Sequence, residues 1–257
     1  MERRLVIDSL AIALVVIGAL SGCSPGTVRI NAAPVVGERA VFRYEIDATI
    51  TRALDGEEPT TTRFTSTLLA DQEVVAITED GVEADITLRR DGTAPRSARV
   101  ILDRTGAIRS IELVAGLESD ELGLAELGSL LPPVVAPPTR RLAPGERWTI
   151  SEGAVDGHGR LTRLGIIDDA KVAVVRTSVT EAIDDAVAGA TSSATLRGEL
   201  RSVATAAYDL ADGSARRSSA RSRGLVTALI EPPPWIDAVP AQGTISYDIR
   251  VEATRLS

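Results

Sequence analysis

The chain has 257 residues, 44% of them hydrophobic and 3% aromatic, with 28 Lys or Arg against 36 Asp or Glu and a formal net charge of −8. That balance argues against nucleic acid as a partner, because phosphate backbones are met by basic surfaces, and against a surface held to anionic lipid by overall charge. The length suits one large β domain or two small ones, with enough chain to bury a sizeable core.

Residues 1–22 read as a targeting segment. Arg3 and Arg4 give a positive start, and Asp8 is an acid that precedes the apolar core. Residues 10–20 are an unbroken run of eleven small or apolar residues. A transmembrane helix needs about 20, so this run suits the core of a signal peptide. Leu20, Ser21 and Gly22 then lead to Cys23, the single cysteine of the chain. This motif resembles the lipobox of bacterial lipoproteins. The resemblance implies a diacylglyceryl group on the Cys23 thiol, cleavage before Cys23 by a dedicated signal peptidase (signal peptidase II type), and acylation of the new amine, as by palmitate. A lone thiol in an exported protein has no disulfide partner within the chain, and acylation removes its reactivity. Each buried methylene contributes about 0.8 kcal/mol, and two or more chains anchor stably where one does not. The implied partner is the cell membrane, reached through acyl chains on Cys23 at the extracytoplasmic face. The first 22 residues carry two Arg against one Glu and one Asp, so the mature chain keeps its charge of −8.

Residues 23–36 hold Pro25, Gly26 and Pro34 without a clean period and read as a lipidated tether. A first β meander is expected over residues 37–116. After a Gly37-Glu38-Arg39 turn, Phe42, Tyr44, Ile46, Ala48 and Ile50 alternate with Arg43, Glu45, Asp47 and Thr49, the period of a strand with one wet and one dry face. Asp55-Gly56, Asp80-Gly81 and Asp91-Gly92 are hairpin turn signals. Between them a strand is expected over 61–69, a further short one over 73–78, and others over 82–89, 98–102 and 108–114.

Residues 117–143 break the pattern and read as a helix and Pro-rich connector. Ser119 suits a helix N-cap, and Asp120 and Glu121 suit its first turn. Leu124, Leu127 and Leu131 fall at i, i+3 and i+7 on one stripe, with Leu130 beside them. Gly123 and Gly128 cost about 1 kcal/mol each against Ala, and Pro132 and Pro133 end the segment.

The second β meander is expected over 144–257. Gly145-Glu146-Arg147 repeats Gly37-Glu38-Arg39. Gly37 to Gly106 spans 69 positions and Gly145 to Gly213 spans 68, each ending in an Asp-initiated turn after a strand, so the two halves read as a duplicated β unit. Strands are expected over 159–167, 170–182, 195–210, 214–230 and 245–253. Residues 184–193 read as a loop. Residues 216–223 are polar on both faces and read as a solvated or edge strand. Pro232, Pro233 and Pro234 before Trp235 read as a stiff connector.

Little in this chain assembles chemistry. His158, the only histidine, sits between Gly157 and Gly159, with no Gly-x-Ser-x-Gly elbow to serve and no second His or free Cys for zinc. It reads as a solvated loop residue. The pairs Asp168-Asp169 and Asp184-Asp185 have the carboxylates for calcium or paired-acid work but read as turn chemistry. Arg216, Arg217, Arg221 and Arg223 form a basic cluster, read as a solvated face that lipid headgroups or an acidic partner would fit. No enzyme, metal or cofactor is expected, and the sequence assigns no oligomeric state.

The fold expected is mainly β, with antiparallel meanders forming a curved sheet or half-barrel and one short amphipathic helix packed on it. A curved sheet beside such a helix is a natural cradle for acyl chains. Lipobox, β-rich body and lid-like helix together resemble the LolA/LolB-like and LppX/LprG-like envelope lipoproteins, which carry lipids in a half-barrel. That resemblance implies non-enzymatic binding of a hydrophobic envelope ligand, with Leu124, Leu127 and Leu131 as candidate ligand contacts. The alternative is a cell-surface structural or protein-interaction module with a filled core. Leu127→Arg separates the two. A carrier loses ligand uptake while the β fold persists by circular dichroism, whereas a filled module loses stability with no ligand to lose.

Overall fold

The structure, a computed structural model, describes residues 26–31, 34–79, 81–90, 92, 94–102, 108–115, 137–188, 193–232, 235 and 239–256. The stripe of Leu124, Leu127 and Leu131, the lipobox and Cys23 lie outside the described residues.

Among the described residues eleven strands form one antiparallel sheet. They are β1 (Arg39–Leu54), β2 (Thr60–Ile77), β3 (Val82–Arg89), β4 (Arg96–Leu102), β5 (Ile108–Ala115), β6 (Arg147–Glu152), β7 (Val155–Ile167), β8 (Ala170–Ala188), β9 (Ser193–Asp209), β10 (Ala215–Glu231) and β11 (Ala241–Arg255). Their spatial order is β5-β4-β3-β2-β1-β11-β10-β9-β8-β7-β6. Chain neighbours pair with each other, except that β5 and β6 are the two edges and β1 pairs with β11 at the centre, from Phe42 opposite Arg255 to Leu54 opposite Gly243. Among the described residues there is no helix.

Alternation gives this sheet one apolar face and one largely polar face, on which Val172, Val174 and Ala207 form a small buried apolar cluster of their own. Register carries Tyr44, Ile46 and Ala48 of β1 onto Ala253, Val251 and Ile249 of β11 and onto Leu68, Ser66 and Phe64 of β2, with Phe42 between Arg255 and Ala70. The same face continues through Ala84 and Val100 on one wing and through Val226, Ala204, Val175 and Leu161 on the other, all of them buried. At one end of this face Val28 and Leu142 exchange backbone hydrogen bonds of 2.9 and 2.8 Å, and Ile30 and Leu142 pack with Leu161, Val175 and Tyr208.

Curvature is written in glycines. Gly157, Gly159, Gly198, Gly224 and Gly243 all fall on the apolar face, and a Cβ at each would come within 2.9 Å of a neighbouring atom. Strand glycines mark such close approaches and tight bends. At Gly159 the neighbour is Trp148, directly opposite on β6, whose ring would lie 2.2 Å from that Cβ. Gly159→Ala is therefore expected to expel Trp148 and cost about 1–3 kcal/mol, read as a lower urea midpoint together with altered Trp fluorescence.

Several sequence expectations change. The strands expected over 61–69 and 73–78 are one, Thr60–Ile77, because Ala70, Asp71 and Gln72 keep pairing with β1 and the irregularity is a bulge at Val74/Ala76. Asp184 to Ala188 are not loop but the end of β8, paired with 193–197. Residues 216–223 are not an edge. They belong to β10, flanked by β9 and β11. Their alternation is hard to see because Ser218, Ala220 and Ser222 take the inward positions that larger apolar residues hold elsewhere. Ser222 is 1% exposed, and its hydroxyl shares a 2.7 Å hydrogen bond with that of Ser202 across the strand pair.

The repeated Gly-Glu turn has the same construction twice. Gly37 and Gly145 have φ of 85° and 89°. Glu38 N–H donates to Val35 O, and Glu146 N–H to Ala143 O. The glutamate carboxylate in turn accepts from the backbone N–H three residues back, Val35 at 3.2 Å and Ala143 at 2.8 Å. Each turn then bridges to one residue of the next strand but one, Val74 of β2 or Leu161 of β7, and a bulge follows immediately in both.

Candidate functional site

The apolar face is the candidate site, and its central strands have a floor of small side chains. On β9 the inward residues include Ser202, Ala204 and Ala206 and on β10 Ser218, Ala220, Ser222 and Gly224, whereas β11 is small only at Gly243 and Ala253 and carries Ile245, Tyr247, Ile249 and Val251 between them. Larger groups stand on both sides, with Phe42, Tyr44, Ile46 and Phe64 towards β1 and β2 and Val175, Val179, Leu161 and Trp148 towards β6 to β8. The Phe42 and Tyr44 rings are 6.2 Å apart and tilted. Burial pushes the Tyr44 phenol above its usual pKa. Two polar atoms on this face, Ser66 Oγ and Trp148 Nε1, are buried without a hydrogen-bond partner among the described residues. Groups of this kind call for an explanation when they recur on one surface.

The polar face is a lattice of ion pairs. Arg221 reaches Asp248 through two bonds of 2.8 and 2.6 Å, and Arg223 adds a third at 3.1 Å. Arg99 grips Asp85 at 2.7 and 2.9 Å. The Arg221 guanidinium holds the Asp248 carboxyl below the usual carboxylate range, and Arg99 does the same for Asp85. A shallow concavity of about 380 Å³ opens here over Glu45, Asp47, Thr65, Thr67, Arg250 and Glu252. At one end, Asp209 is buried in the β9–β10 turn. It accepts the Ala211 N–H at 2.9 Å and the Arg216 guanidinium at 2.7 Å.

The residues singled out from sequence scatter. His158 lies on β7, exposed, between Thr149 and Ser178 on the neighbouring strands. Asp168 and Asp169 have φ of 47° and 62° and form the two-residue turn between β7 and β8. That is the left-handed geometry Asp tolerates at hairpin turns. Asp184 is in β8, bonded to Arg197. Among the described residues no three His, Cys, Asp or Glu side chains converge as a metal site. The basic cluster of β10 is largely spent internally: Arg216 on Asp209, Arg221 and Arg223 on Asp248. The small-residue floor escaped the sequence reading because Ser and Ala alternating with Arg look like a wet strand until β9 and β11 are placed beside it.

No family model matches this chain, and no curated protein matches it. Among solved structures it is similar to OmpTdeltaL8, the loop L8 deletion mutant of OmpT, an outer membrane protein of Vibrio cholerae, at 9% identity over 84% of this chain and 99% of that one, with a TM-score of 0.17, too low to show a shared fold.

Proposed function

We propose that this chain is an exported lipoprotein, anchored through Cys23 at the extracytoplasmic face of the membrane, whose apolar face binds or carries a hydrophobic envelope ligand without turning it over. The observation that supports this most is the run of Ser, Ala and Gly along β9 and β10 on the apolar face of the sheet. Small side chains there leave depth above the sheet for a chain-like apolar ligand, flanked by the Phe42, Tyr44 and Phe64 rings. Ser66 and Trp148 supply polar atoms for its oxygens. The exposed face suits water and not lipid. A strand protein that crosses a membrane turns an apolar band outward, whereas this one presents Asp47, Arg250, Arg221 and Asp248 at mid-strand. The matching turns at Gly37 and Gly145 support a duplicated β unit with residues 117–143 as its connector.

A second reading is favoured by one observation. Ala204, Ala220, Ser222 and Val226 are already buried, as they are in a structural module with a filled core. Ala220→Phe distinguishes the two. For a carrier, the full-length protein is expected to release a lipid on organic extraction, seen by mass spectrometry, and the variant to retain less than a tenth of it with its β circular dichroism unchanged. A clean extract from the unaltered protein, with no uptake from envelope lipids, would sink the carrier reading. The anchor is tested separately: Cys23→Ser is expected to abolish incorporation of radiolabelled palmitate and to leave the precursor uncut. Label persisting in the variant would refute it.

A further inference from the structure

The polar face neutralises many of its arginines with carboxylates. Arg197 bonds Asp184, Arg201 bonds Glu199, Arg250 bonds Glu252, Arg89 bonds Asp71, and Arg221 and Arg223 share Asp248. Among the described residues Arg43, Arg63 and Arg217 stand without an ion pair singly, and one row does so as a group. Arg147 of β6 stands directly opposite Arg160 of β7, and Arg160 directly opposite Arg176 of β8. Directly opposed residues of an antiparallel sheet share a face, so the three form a ladder of like charge. All are exposed, and none has a carboxylate partner among the described residues. The acids nearby are engaged elsewhere: Glu146 accepts from Arg140 and from the Ala143 N–H, and Asp156 accepts from the Ser151 hydroxyl.

Like charges directly opposite each other destabilise a sheet. In a chain with an excess of acid, three in register without a counter-charge make a site waiting for an external anion. Adjacent strands lie about 4.8 Å apart, so the ladder spans roughly 10 Å. Guanidinium forks bind phosphate oxygens in pairs. Ser178 and Thr205 add half-exposed and exposed hydroxyls around the ladder.

Chain length says which phosphates are near. Val28 is bonded to Leu142, five positions before Arg147, and the Gly145 N–H donates to Leu161 O, next to Arg160. Val28 is five steps along the chain from Cys23, which limits that distance to about 18 Å even fully extended. An anchor on Cys23 therefore keeps the β6–β7 corner close to the headgroup layer. We infer that Arg147, Arg160 and Arg176 bind the phosphates of anionic phospholipid headgroups in the membrane that holds the anchor, and so fix which face of the sheet lies toward the bilayer. This rests on the lipoprotein reading above. The overall charge of −8 does not oppose it, because at physiological salt charges act over a Debye length of about 8 Å.

The test uses full-length lipidated protein in vesicles of phosphatidylcholine with or without phosphatidylglycerol. Acylation of Cys23 leaves Thr149→Cys as the only free thiol, to be labelled with a fluorophore that headgroup-nitroxide lipids quench. Quenching is expected to be at least twofold stronger with phosphatidylglycerol. It should fall to the phosphatidylcholine level in Arg160→Gln/Arg176→Gln and at high salt, and survive in Arg223→Gln, whose arginine already has Asp248. The double variant relieves repulsion, so its thermal midpoint should not fall. Equal quenching in both vesicles, or quenching that persists in the double variant, would overturn the inference. So would protection by soluble inorganic triphosphate without any vesicle contrast, which would assign the row to free phosphate. Protein that floats with vesicles but shows no contrast overturns this inference alone; protein that does not float overturns the anchor as well.

Discussion

Gly198→Ala is expected to destabilise the sheet by about 3 kcal/mol, at the upper end of what overpacking costs. A Cβ on Gly198 would lie 2.3 Å from the Leu225 carbonyl oxygen and 2.8 Å from the Val226 Cα. Both atoms are backbone of β10, so no side-chain rotation relieves the contact, and β9 and β10 must part. Reduced freedom of the unfolded chain returns only about 0.4–1 kcal/mol to the variant. The measurement is urea unfolding, with a lower midpoint and an unchanged slope. Gly165→Ala is the control: its Cβ would meet only the end of the Arg163 side chain, at 3.4 Å, and a change within about 0.5 kcal/mol is expected. Equal midpoints for Gly198→Ala and the unaltered protein would show that β9 and β10 separate at no cost, and would remove glycine as the cause of curvature.

Asp209→Ala is expected to cost about 2–3 kcal/mol, because it strips a buried charge-assisted network of its acceptor. Asp209 is 5% exposed. Its carboxyl is held below the usual carboxylate range, first by the Ala211 N–H and then by the Arg216 guanidinium, with Arg255 adding to the field. Arg255 in turn reaches Glu38, Asp212 and Ser214, so this corner ties the ends of β1, β9, β10 and β11 together. The sign of the pH dependence follows. A carboxyl whose pKa is lower folded than unfolded contributes stability that is complete above its unfolded value near 4 and is lost as pH falls through the folded value. Unfolding midpoints measured from pH 7 down to pH 2 should therefore converge for the unaltered protein and Asp209→Ala. A gap that stayed constant to pH 2 would mean that the carboxylate charge contributes nothing.

Strand positions were legible where large apolar residues alternate with charged ones, as in β1 and β11, because a period of two needs no tertiary information. The repeated Gly-Glu-Arg motif was also legible, and its two copies fold into the same turn. What could not be read was anything set by a neighbour several strands away. The central place of β10 was hidden because its inward Ser218, Ala220 and Ser222 have ordinary polarity and small size; only the pressing in of β9 and β11 makes them interior. The arginine ladder was hidden for the opposite reason. Arg147, Arg160 and Arg176 are spread over three strands, while the cluster conspicuous in sequence, at 216–223, is one that Asp209 and Asp248 largely neutralise. Sequence proximity gathers charges by chain position, and the sheet gathers them by register.

The pairing of β1 with β11 has a consequence for how the molecule assembles. In space the sheet is a plain meander from β6 to β11 and on from β1 to β5, and among the described strands the long-range pairing is the one at its centre, between Phe42 and Arg255. Until the last strand arrives, β1 keeps an open edge and the bridge of Val28 to Leu142 is what links the segments ahead of the two wings. High sequence separation between contacting residues slows folding, and unpaired edges invite aggregation meanwhile. A circular permutant that begins at β6, runs through a linker joining β11 to β1, and ends at β5 would turn that central pairing into a local hairpin. It should reach the same sheet faster, without any native strand pair being changed.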